Sequence, residues 1–473
     1  MGKSAKAFKR PTKKQKEIKK TTKAQAALTP AADKERPSSM ARTSSGGVSK
    51  SKSIRKKAKV ASVMTRASKA KKVTRLAWVK IEQRRMASEM NIAGLLVLTV
   101  LLFAVPGLAA PGVIDDIYDW VFSGAMLSEP RSSVAATSVG NIALFAGGRL
   151  QNGSYSDVVD IYNRKSKTWT VSRLSVARSE IGAGSVGNRY ALFAGGFDSS
   201  FKPMTLVDVF DAQTGQWSQI QLNTPRAAPR LLDLGSVVAV VGGLSGDLQY
   251  LSKAVDYVDA NLTVHSTSLP SEYPQLGLPI FDSTSGIGLY TAGYQNSRPG
   301  ERFNDFEPSN QTTIFAAASA SLVAGPLFPY PRWGSGGAAA NGMFVVGGGH
   351  MFGDGSSEPL TTVTDRADVF HAQTQQWGQA LTLSVPRDYP LVQTVGDYVV
   401  FLAGTQATKA LDIFDSRTGT FIVNPRHTPA LYTLRDDAAA VTVDGCLLMV
   451  AGGTVYQGRN ATASVEIFDA CKS

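Results

Sequence analysis

Pairs of glycines recur in this chain at the ends of apolar segments, and a glycine-rich turn can cradle a phosphate. The hexapeptide ALFAGG occurs at 143–148 and again at 191–196. A phosphate-binding loop requires its glycines to lead into a helix whose N-terminal amides face the anion. Here the glycines lead into RLQNGSYSD and FDSSFKPMT, which are turn sequences without a GK[ST] signature. We therefore interpret the glycine pairs as structural joints of a repeat.

Charged residues also recur, and a ring of carboxylates could bind a metal or perform acid–base chemistry. The acidic residues that precede a strand aromatic or its equivalent by two positions are Asp160, Asp208, Asp256, Asp368, Asp412 and Glu466. The arginines that open the units are Arg131, Arg178, Arg226, Arg332, Arg387 and Arg435. Because both types repeat in almost every unit, we favour structural ion pairs between them. A basic ring that binds an acidic ligand is the alternative for the arginines.

Histidines are too few and too dispersed for a metal site. They are His265, His350, His371 and His427, and they fall in the third, fifth and sixth units. The two cysteines do not form a CxxC motif, which zinc and redox sites commonly use. We therefore expect no metal and no cofactor, and we assign no catalytic residue.

Short apolar runs separated by turn residues continue from about residue 117 to the C-terminus, and no amphipathic helix interrupts them. The paired glycines mark one unit each at Gly147-Gly148, Gly195-Gly196, Gly242-Gly243, Gly347-Gly348 and Gly452-Gly453, with Ala292-Gly293 and Ala403-Gly404 as altered copies. Spaced aromatic pairs follow most of them, at Tyr162/Trp169, Phe210/Trp217, Phe370/Trp377 and Phe414/Phe421. The chain is therefore predicted to be all-β with seven repeated units.

The last unit, 435–473, ends without a fourth strand. The segment 117–131 resembles the end of the other units, with Trp120 as the missing aromatic of unit seven. An N-terminal strand that completes the last unit closes a ring and removes the open sheet edges.

These landmarks over about 117–473 resemble the kelch repeat, in which a glycine doublet and a spaced Tyr…Trp pair mark each four-stranded propeller blade. The resemblance implies a seven-bladed kelch-type β-propeller, closed by an N-terminal strand in the last blade. The resemblance is weakest in the fourth unit, around 277–325, which lacks the opening arginine.

The region before the repeats has a different composition. Residues 1–90 carry 27 of the 50 Lys and Arg residues and 5 of the 37 Asp and Glu residues, a net charge of +22, so the remaining chain has a net charge of −9. Such a tail cannot bury enough apolar surface to order itself, and we expect it to be disordered. Because the tail has no interleaved aromatic residues, we do not expect it to bind nucleic acid. The domain boundaries predicted are 1–90, 91–112 and 113–473.

Residues 91–112, NIAGLLVLTVLLFAVPGLAAPG, form an apolar segment. Ile92 to Ala110 would measure about 28 Å as a helix, near the lower limit for spanning a bilayer. The basic residues before it predict a type II membrane protein with residues 113–473 in the lumen or outside the cell. The small residues Gly107 to Ala110 leave a cleaved signal and a secreted protein as the alternative. A buried apolar helix in a soluble protein is the third interpretation.

Two further features depend on that compartment. The sequons predict N-glycosylation at Asn152, Asn261, Asn310 and Asn460. A disulfide between Cys446 and Cys471 is possible if the C-terminus folds back, because a simple hairpin register places Cys471 about three residues beyond the residue opposite Cys446.

Two adjacent units have long loops between their second and third strands, 294–311 and 349–365. Long loops on a rigid scaffold commonly carry recognition, and exposed aromatic and arginine side chains are typical interface anchors. The candidate binding residues in these loops are Arg298, Arg302, Phe303, Phe306, His350, Met351 and Phe352. We therefore expect a non-enzymatic binding module for a protein or glycan. A kelch enzyme of the carbohydrate-active or oxidase type and an intracellular kelch adaptor are the alternatives.

Overall fold

A computed structural model of the chain describes residues 121–246, 250–270, 275–296, 306–319, 321–352, 361–404, 408–422, 430–455 and 460–471. All regular structure in these residues is β, and none of them lies in a helix long and apolar enough to cross a membrane. The predicted basic tail 1–90 and the predicted apolar helix 91–112 lie outside the described residues.

The strands form seven antiparallel four-stranded sheets, which we call blades one to seven and whose strands we call A to D from the channel outward. The strands of blade one are Ala135–Val139, Ile142–Ala146, Val158–Asn163 and Thr168–Arg173. Those of blade two are Gly182–Val186, Tyr190–Ala194, Met204–Asp211 and Trp217–Arg226. Those of blade three are Arg230–Asp233, Val237–Val241, Ala254–Asp259 and Val264–Ser268. Those of blade four are Gln275–Asp282, Ile287–Asn296, Thr312–Ala316 and Ser321–Ala324. Those of blade five are Gly336–Ala340, Met343–Gly347, Arg366–His371 and Gln376–Trp377, and Leu381–Thr382 continues strand D along strand C. Those of blade six are Leu391–Val395, Tyr398–Leu402, Asp412–Asp415 and Thr420–Phe421. Those of blade seven are Ala439–Val443, Leu447–Ala451, Ser464–Asp469 and Val121–Met126.

The A strands contact one another in sequence around a closed ring, from blade one to blade seven and back to blade one. This arrangement confirms the predicted seven-bladed β-propeller. The closure is also confirmed, because Val121–Met126 pairs with Ser464–Asp469 as strand D of blade seven. A closed ring leaves no sheet edge open at the junction of the two ends of the repeat.

The predicted role of Trp120 is wrong. Phe122, and not Trp120, lies opposite Phe468 in blade seven, as Trp169 lies opposite Tyr162 in blade one. The physical reason is register: Phe122 precedes Arg131 by nine residues, the same spacing that separates Trp169 from Arg178. Trp120 itself lies before the first described residue.

Each blade packs on its neighbours through apolar strands that are buried on both faces. Strand B of blade one, for example, buries Leu144 toward Phe193 and Phe210 of blade two, whereas its neighbour Phe145 packs against Met449 and Ile467 of blade seven. Full burial of such a side chain contributes about 1.5–3 kcal/mol. The blade interfaces therefore account for the continuous apolar runs in the sequence.

The recurrent arginines are anchors inside the blades. In the six blades that have one, its guanidinium is fully buried and pairs with the recurrent acid of the same blade: Arg131–Asp160, Arg178–Asp208, Arg226–Asp256, Arg332–Asp368, Arg387–Asp412 and Arg435–Glu466. Each guanidinium also donates to backbone carbonyls of its blade, as in the bonds from Arg178 to Gly195 (2.9 Å) and to Phe193 (3.0 Å). The predicted structural ion pairs are thus confirmed, and the basic ring at the channel is wrong.

The glycine pairs join neighbouring blades. The second glycine of a pair donates its N–H to the carbonyl of the arginine in the next blade, for example Gly148 to Arg178 (3.0 Å) and, across the ring closure, Gly453 to Arg131 (2.8 Å). A Cβ on Gly148 would lie 2.5 Å from the carbonyl oxygen of Ser132, at a backbone φ of +99° that favours glycine. The pairs are therefore packing joints.

One glycine pair was placed incorrectly by the sequence. In blade five the residues with the left-handed conformation of the other pairs are Gly348 and Gly349, with φ of 70° and 99°, so the expected pair Gly347-Gly348 is shifted by one residue. Three consecutive glycines make the sequence ambiguous there. The altered copies are confirmed, because Ala292 and Ala403 both have φ of 56°.

Blade four lacks the opening arginine and uses a tyrosine in its interior. Tyr290 is fully buried, and its hydroxyl accepts a hydrogen bond from the N–H of Gly277 (2.8 Å). Gly293 still donates to the carbonyl of Arg332 (2.9 Å), which retains the joint to blade five.

A disulfide joins Cys446 and Cys471, whose Cα atoms are 5.2 Å apart. The expected register of strand C in this blade is wrong: Leu447 lies opposite Asp469, and Ala470 donates to the carbonyl of Cys446 (3.0 Å), so Cys471 is one residue past the position opposite Cys446. The bridge ties the C-terminus to the blade that closes the ring.

The buried ion pairs predict a large difference between two aspartate substitutions. Asp208→Asn leaves the fully buried guanidinium of Arg178 without its counter-ion, and we expect it to lower the free energy of unfolding by about 3–5 kcal/mol. The control Asp157→Asn removes a pair with Arg173, whose side chain is 67% exposed, and should cost at most about 1 kcal/mol. Denaturant unfolding of both variants measures the difference, and equal losses would contradict a structural role for the buried pair.

Candidate functional site

The D–A connections and the B–C loops lie on one face of the propeller because successive strands alternate in direction; we call it the loop face. At the channel, a ring of residues two positions after each arginine adopts the left-handed conformation. They are Ser133, Glu180, Ala228, Gly334, Tyr389 and Asp437, with φ between 48° and 67°. Backbone bonds link members of neighbouring blades, such as Ala228 N–H to the Glu180 carbonyl (2.8 Å) and Tyr389 N–H to the Gly334 carbonyl (2.7 Å).

Blades four, five and six bring together an aromatic–acid cluster at this ring, which we define as Tyr294, Trp333, His350, Asp388 and Tyr389. The indole of Trp333 is stacked between Tyr294, at 4.9 Å between ring centroids, and His350, at 4.0 Å. Trp333 follows the anchored Arg332, and its backbone exchanges two hydrogen bonds with His350 (2.7 and 3.2 Å). The repeat joint of blade five therefore fixes the position of both rings.

His350 is held by blade six. Its Nε2 lies 2.7 Å from Oδ2 of Asp388, which follows the anchored Arg387, and the two side chains are 15% and 10% exposed. The other nitrogen, Nδ1, is buried and has no hydrogen-bond partner among the described residues. Because Nε2 pairs with Asp388 and the ring stacks on Trp333, the imidazole links blade six to blade five.

Tyr389 is the most exposed member of the cluster. Its hydroxyl is 3.0 Å from that of Tyr294, its ring is 6.1 Å from Trp333, and 51% of the residue is exposed. A bulky side chain at a φ of 49° is rare, and such strain costs about 1–3 kcal/mol. Gly334 makes room for it, since a Cβ there would lie 2.7 Å from Oδ1 of Asp388 and 3.3 Å from the Tyr389 ring.

Carboxylates dominate the electrostatics of the channel mouth. Glu180 is exposed, but the surrounding protein partly desolvates its carboxyl and raises its pKa; the charge of Arg230 opposes the shift and that of Asp437 adds to it. Burial also raises the pKa of Asp436, with the charges of Asp437 and Asp388 acting in the same direction. These groups come from blades two, three, six and seven, in the D–A connections or at the start of strand A.

Burial and the charge of Asp388 also raise the pKa values of Tyr294 and Tyr389. Burial is the main cause of the raised pKa of Tyr294, followed by its hydrogen bond to Tyr389 and the charge of Asp388. Burial also raises the pKa of Tyr389; the bond to Tyr294 and the charge of Arg230 oppose the shift, whereas Asp388 and Glu180 add to it. Both phenols therefore remain neutral hydrogen-bonding groups.

Some of the predicted loop residues lie on two short antiparallel ribbons, and others lie outside the described residues. The 294–311 loop begins as a ribbon, because strand B of blade four continues to Asn296 and pairs with Phe306–Pro308. In blade five, His350–Phe352 pairs with Thr361–Val363, which places Met351 beside His350 on the second ribbon. Phe306 and Phe352 lie on these ribbons by their backbones. Arg298, Arg302 and Phe303 lie in the undescribed stretch 297–305.

The four sequons lie in blades one, three, four and seven. Asn152, at the B–C loop of blade one, Asn261, at the C–D turn of blade three, and Asn460, on a short strand of blade seven, are exposed. Asn310, after Phe306–Pro308 in blade four, is half-buried. The side chain of Asn152 accepts hydrogen bonds from the Ser154 N–H (3.0 Å) and hydroxyl (2.7 Å).

Sequence reasoning identified His350 but missed Tyr294, Trp333, Asp388 and Tyr389 as a unit. A partial signal was present: the residue after the arginine is small in blades one to three (Ser132, Ser179 and Ala227) but is Trp333, Asp388 and Asp436 in blades five to seven. Two of these three departures from the repeat belong to the cluster.

Within the described ranges, no group of three or more His, Cys, Asp or Glu side chains could hold a metal ion. The fold and site define the class of the protein: a seven-bladed β-propeller, an architecture that commonly serves as a binding module. No protein-family model matches the chain, and no curated protein matches it.

Proposed function

We propose that this chain is a kelch-type propeller that binds a protein partner on its loop face, over blades four to six, and that it is not an enzyme. The observation that carries the proposal is the exposed, left-handed Tyr389, held by a packed aromatic–acid cluster beside two ribbons. Strained residues persist where the surroundings fix them, and they concentrate at ligand-binding sites.

The kelch assignment is supported by the geometry of the repeat. The spaced aromatics meet within a blade, as Tyr162 and Trp169 do at 5.1 Å and Phe210 and Trp217 at 5.2 Å between ring centroids. The glycine doublets have positive φ in both residues, as Gly195 and Gly196 do.

Two observations favour a protein partner over the alternatives. His350, the first residue of the second ribbon, has Nε2 paired with Asp388 and Nδ1 buried, which disfavours acid–base catalysis through this side chain. Trp333 already stacks against both Tyr294 and His350, which disfavours use of its ring as a platform for a sugar. The exposed Tyr389 instead suits contact with a polypeptide.

We further propose that the propeller is anchored by residues 91–112 as a type II membrane protein and lies in a lumenal or extracellular space. The Cys446–Cys471 bridge supports an oxidising compartment, where disulfides persist. Exposure of Asn152, Asn261 and Asn460 makes these sequons accessible to glycosylation.

Site-specific photo-crosslinking tests the binding face. A photoreactive residue at Met351 should give a saturable adduct with the partner, whereas one at Ser236, an exposed A–B turn residue on the opposite face, should not. Replacing Phe303, Phe306 and Phe352 together by alanine should remove the adduct, because the two long loops would lose the aromatic side chains proposed to anchor the partner. Partner binding that is unchanged by the triple substitution, or adducts of equal yield at both positions, would overturn the proposal.

Glycosylation and N-terminal sequencing of the expressed full chain test the topology. We expect a mobility shift on endoglycosidase treatment that decreases in the Asn152→Gln variant, and an N-terminus upstream of residue 91 if the segment is an uncleaved anchor. An N-terminus near residue 111 would instead indicate a secreted protein. An unglycosylated chain whose C-terminus is cytosolic contradicts both forms of the proposal.

A further inference from the structure

Three aromatic side chains from the B–C loops of blades one and two meet on the loop face, and we call them the aromatic patch: Tyr155, Phe197 and Phe201. The rings of Phe197 and Phe201 are stacked at 5.5 Å between centroids. The ring of Tyr155 is nearly perpendicular to both, at 5.5 Å and 6.3 Å. Phe201 is 56% exposed, and the other two are half-buried. Apolar rings that cluster at a surface commonly mark a site of contact.

Backbone hydrogen bonds fix the blade-two part of the patch. Phe197 exchanges two bonds with Ser179 (3.0 and 3.1 Å), and Phe201 donates its N–H to the carbonyl of Asp198 (3.0 Å). Phe201 has a φ of 56°, which is rare for a bulky side chain and persists only where the surroundings impose it. The loop therefore holds this ring at the surface.

The blade-one part of the patch belongs to a hairpin whose tip carries the sequon Asn152. Leu150 donates its N–H to the carbonyl of Ser154 (2.9 Å), and Tyr155 is the next residue. Asn152 and Tyr155 are three residues apart, so their Cα atoms are separated by about 11 Å at most. A sugar attached to Asn152 is thus tethered beside the patch.

The carboxamide of Asn152 is turned toward the strand that continues to Tyr155. Its Oδ1 accepts bonds from the N–H (3.0 Å) and the hydroxyl (2.7 Å) of Ser154. On the other side of the hairpin, the side chain of Gln151 accepts a bond from the N–H of Ala461 in blade seven (2.5 Å), which fixes the tip.

Glycosylation leaves this geometry intact. The anomeric C1–O bond of a lipid diphosphate donor breaks, C1 bonds to Nδ2 of Asn152, and one Nδ2 proton leaves. Because Oδ1 takes no part in the new bond, it keeps both hydrogen bonds from Ser154. The first sugar therefore starts from a defined position next to Tyr155.

We propose that an N-linked glycan on Asn152 packs its core sugars over the aromatic patch and covers this part of the loop face. The C–H groups of a sugar suit the negative face of an aromatic ring, and a glycan replaces an apolar surface by a soluble one. This inference rests on the proposed lumenal or extracellular location. It deepens the proposed function, because a covered patch on blades one and two directs the protein partner to blades four to six.

Hydroxyl-radical footprinting of the full chain, expressed in cells that N-glycosylate it, tests the cover. Asn152→Asp removes the glycan but keeps an oxygen that can accept the bonds from Ser154. We expect the labelling of Phe201 and Tyr155 to rise several-fold in this variant, because the radical reaches the uncovered rings. The control Asn261→Gln removes a sequon in the exposed C–D turn of blade three, on the opposite face, and should not change their labelling.

The reciprocal variant removes a ring and keeps the glycan. Phe201→Asn introduces a residue that tolerates the left-handed conformation and creates no new sequon. Endoglycosidase cleavage of the folded chain should become several-fold faster at Asn152, because the glycan is no longer held on the patch, and should not change at Asn261. A thermal unfolding midpoint for each variant shows that it is folded.

The inference is overturned if Asn152 carries no glycan, if Phe201 is labelled equally with and without it, or if Phe201→Asn leaves cleavage at Asn152 unchanged. Equal labelling would mean an open patch that a protein can contact. These outcomes are separable from failure of the proposed function. A saturable adduct at Met351 together with equal labelling rejects only the glycan cover, whereas protected rings together with equal adducts at Met351 and Ser236 reject only the binding face.

Discussion

A buried arginine paired with an acid is the interaction on which the rest of this propeller depends. In six blades the guanidinium is removed from solvent, paired with a carboxylate of strand C and bonded to backbone carbonyls of the same blade. The backbone carbonyl of the arginine accepts a bond from the glycine pair of the preceding blade, as that of Arg178 does from Gly148. One residue thus ties the interior of its own blade to its neighbour, and at Arg131 it ties the ends of the ring.

The buried arginine also determines which positions of the repeat can vary to form a binding site. Because the arginine is fixed, the two residues that follow it are held at the channel mouth with a defined backbone, the second of them left-handed. Small residues satisfy this geometry in several blades, whereas blades five and six place Trp333, Asp388 and Tyr389 there. A rigid ring that presents a few variable side chains at converging positions has little ordering entropy left to lose when it binds a partner.

The architecture could be predicted because it follows from residue patterns that repeat locally along the sequence. Seven glycine joints, the arginine–acid spacing and the incomplete last unit each depend on residues close in sequence. Errors arose where local patterns were ambiguous, as in the three glycines 347–349 and the aromatic of the closing strand, where Phe122 takes the position expected of Trp120. The cluster could not be assembled from sequence, because Tyr294, Trp333 and Tyr389 belong to three blades and meet only once the ring curvature is known.

The central claim is that the loop face around the channel mouth, and not the opposite face, contacts the partner. Hydrogen–deuterium exchange of the full chain, free and with the partner captured through Met351, tests it directly. The account predicts slower exchange in peptides that contain 333–334 and 388–389, with no change in the A–B turn at 234–237. Slower exchange at that turn, with none at the mouth, would contradict the account.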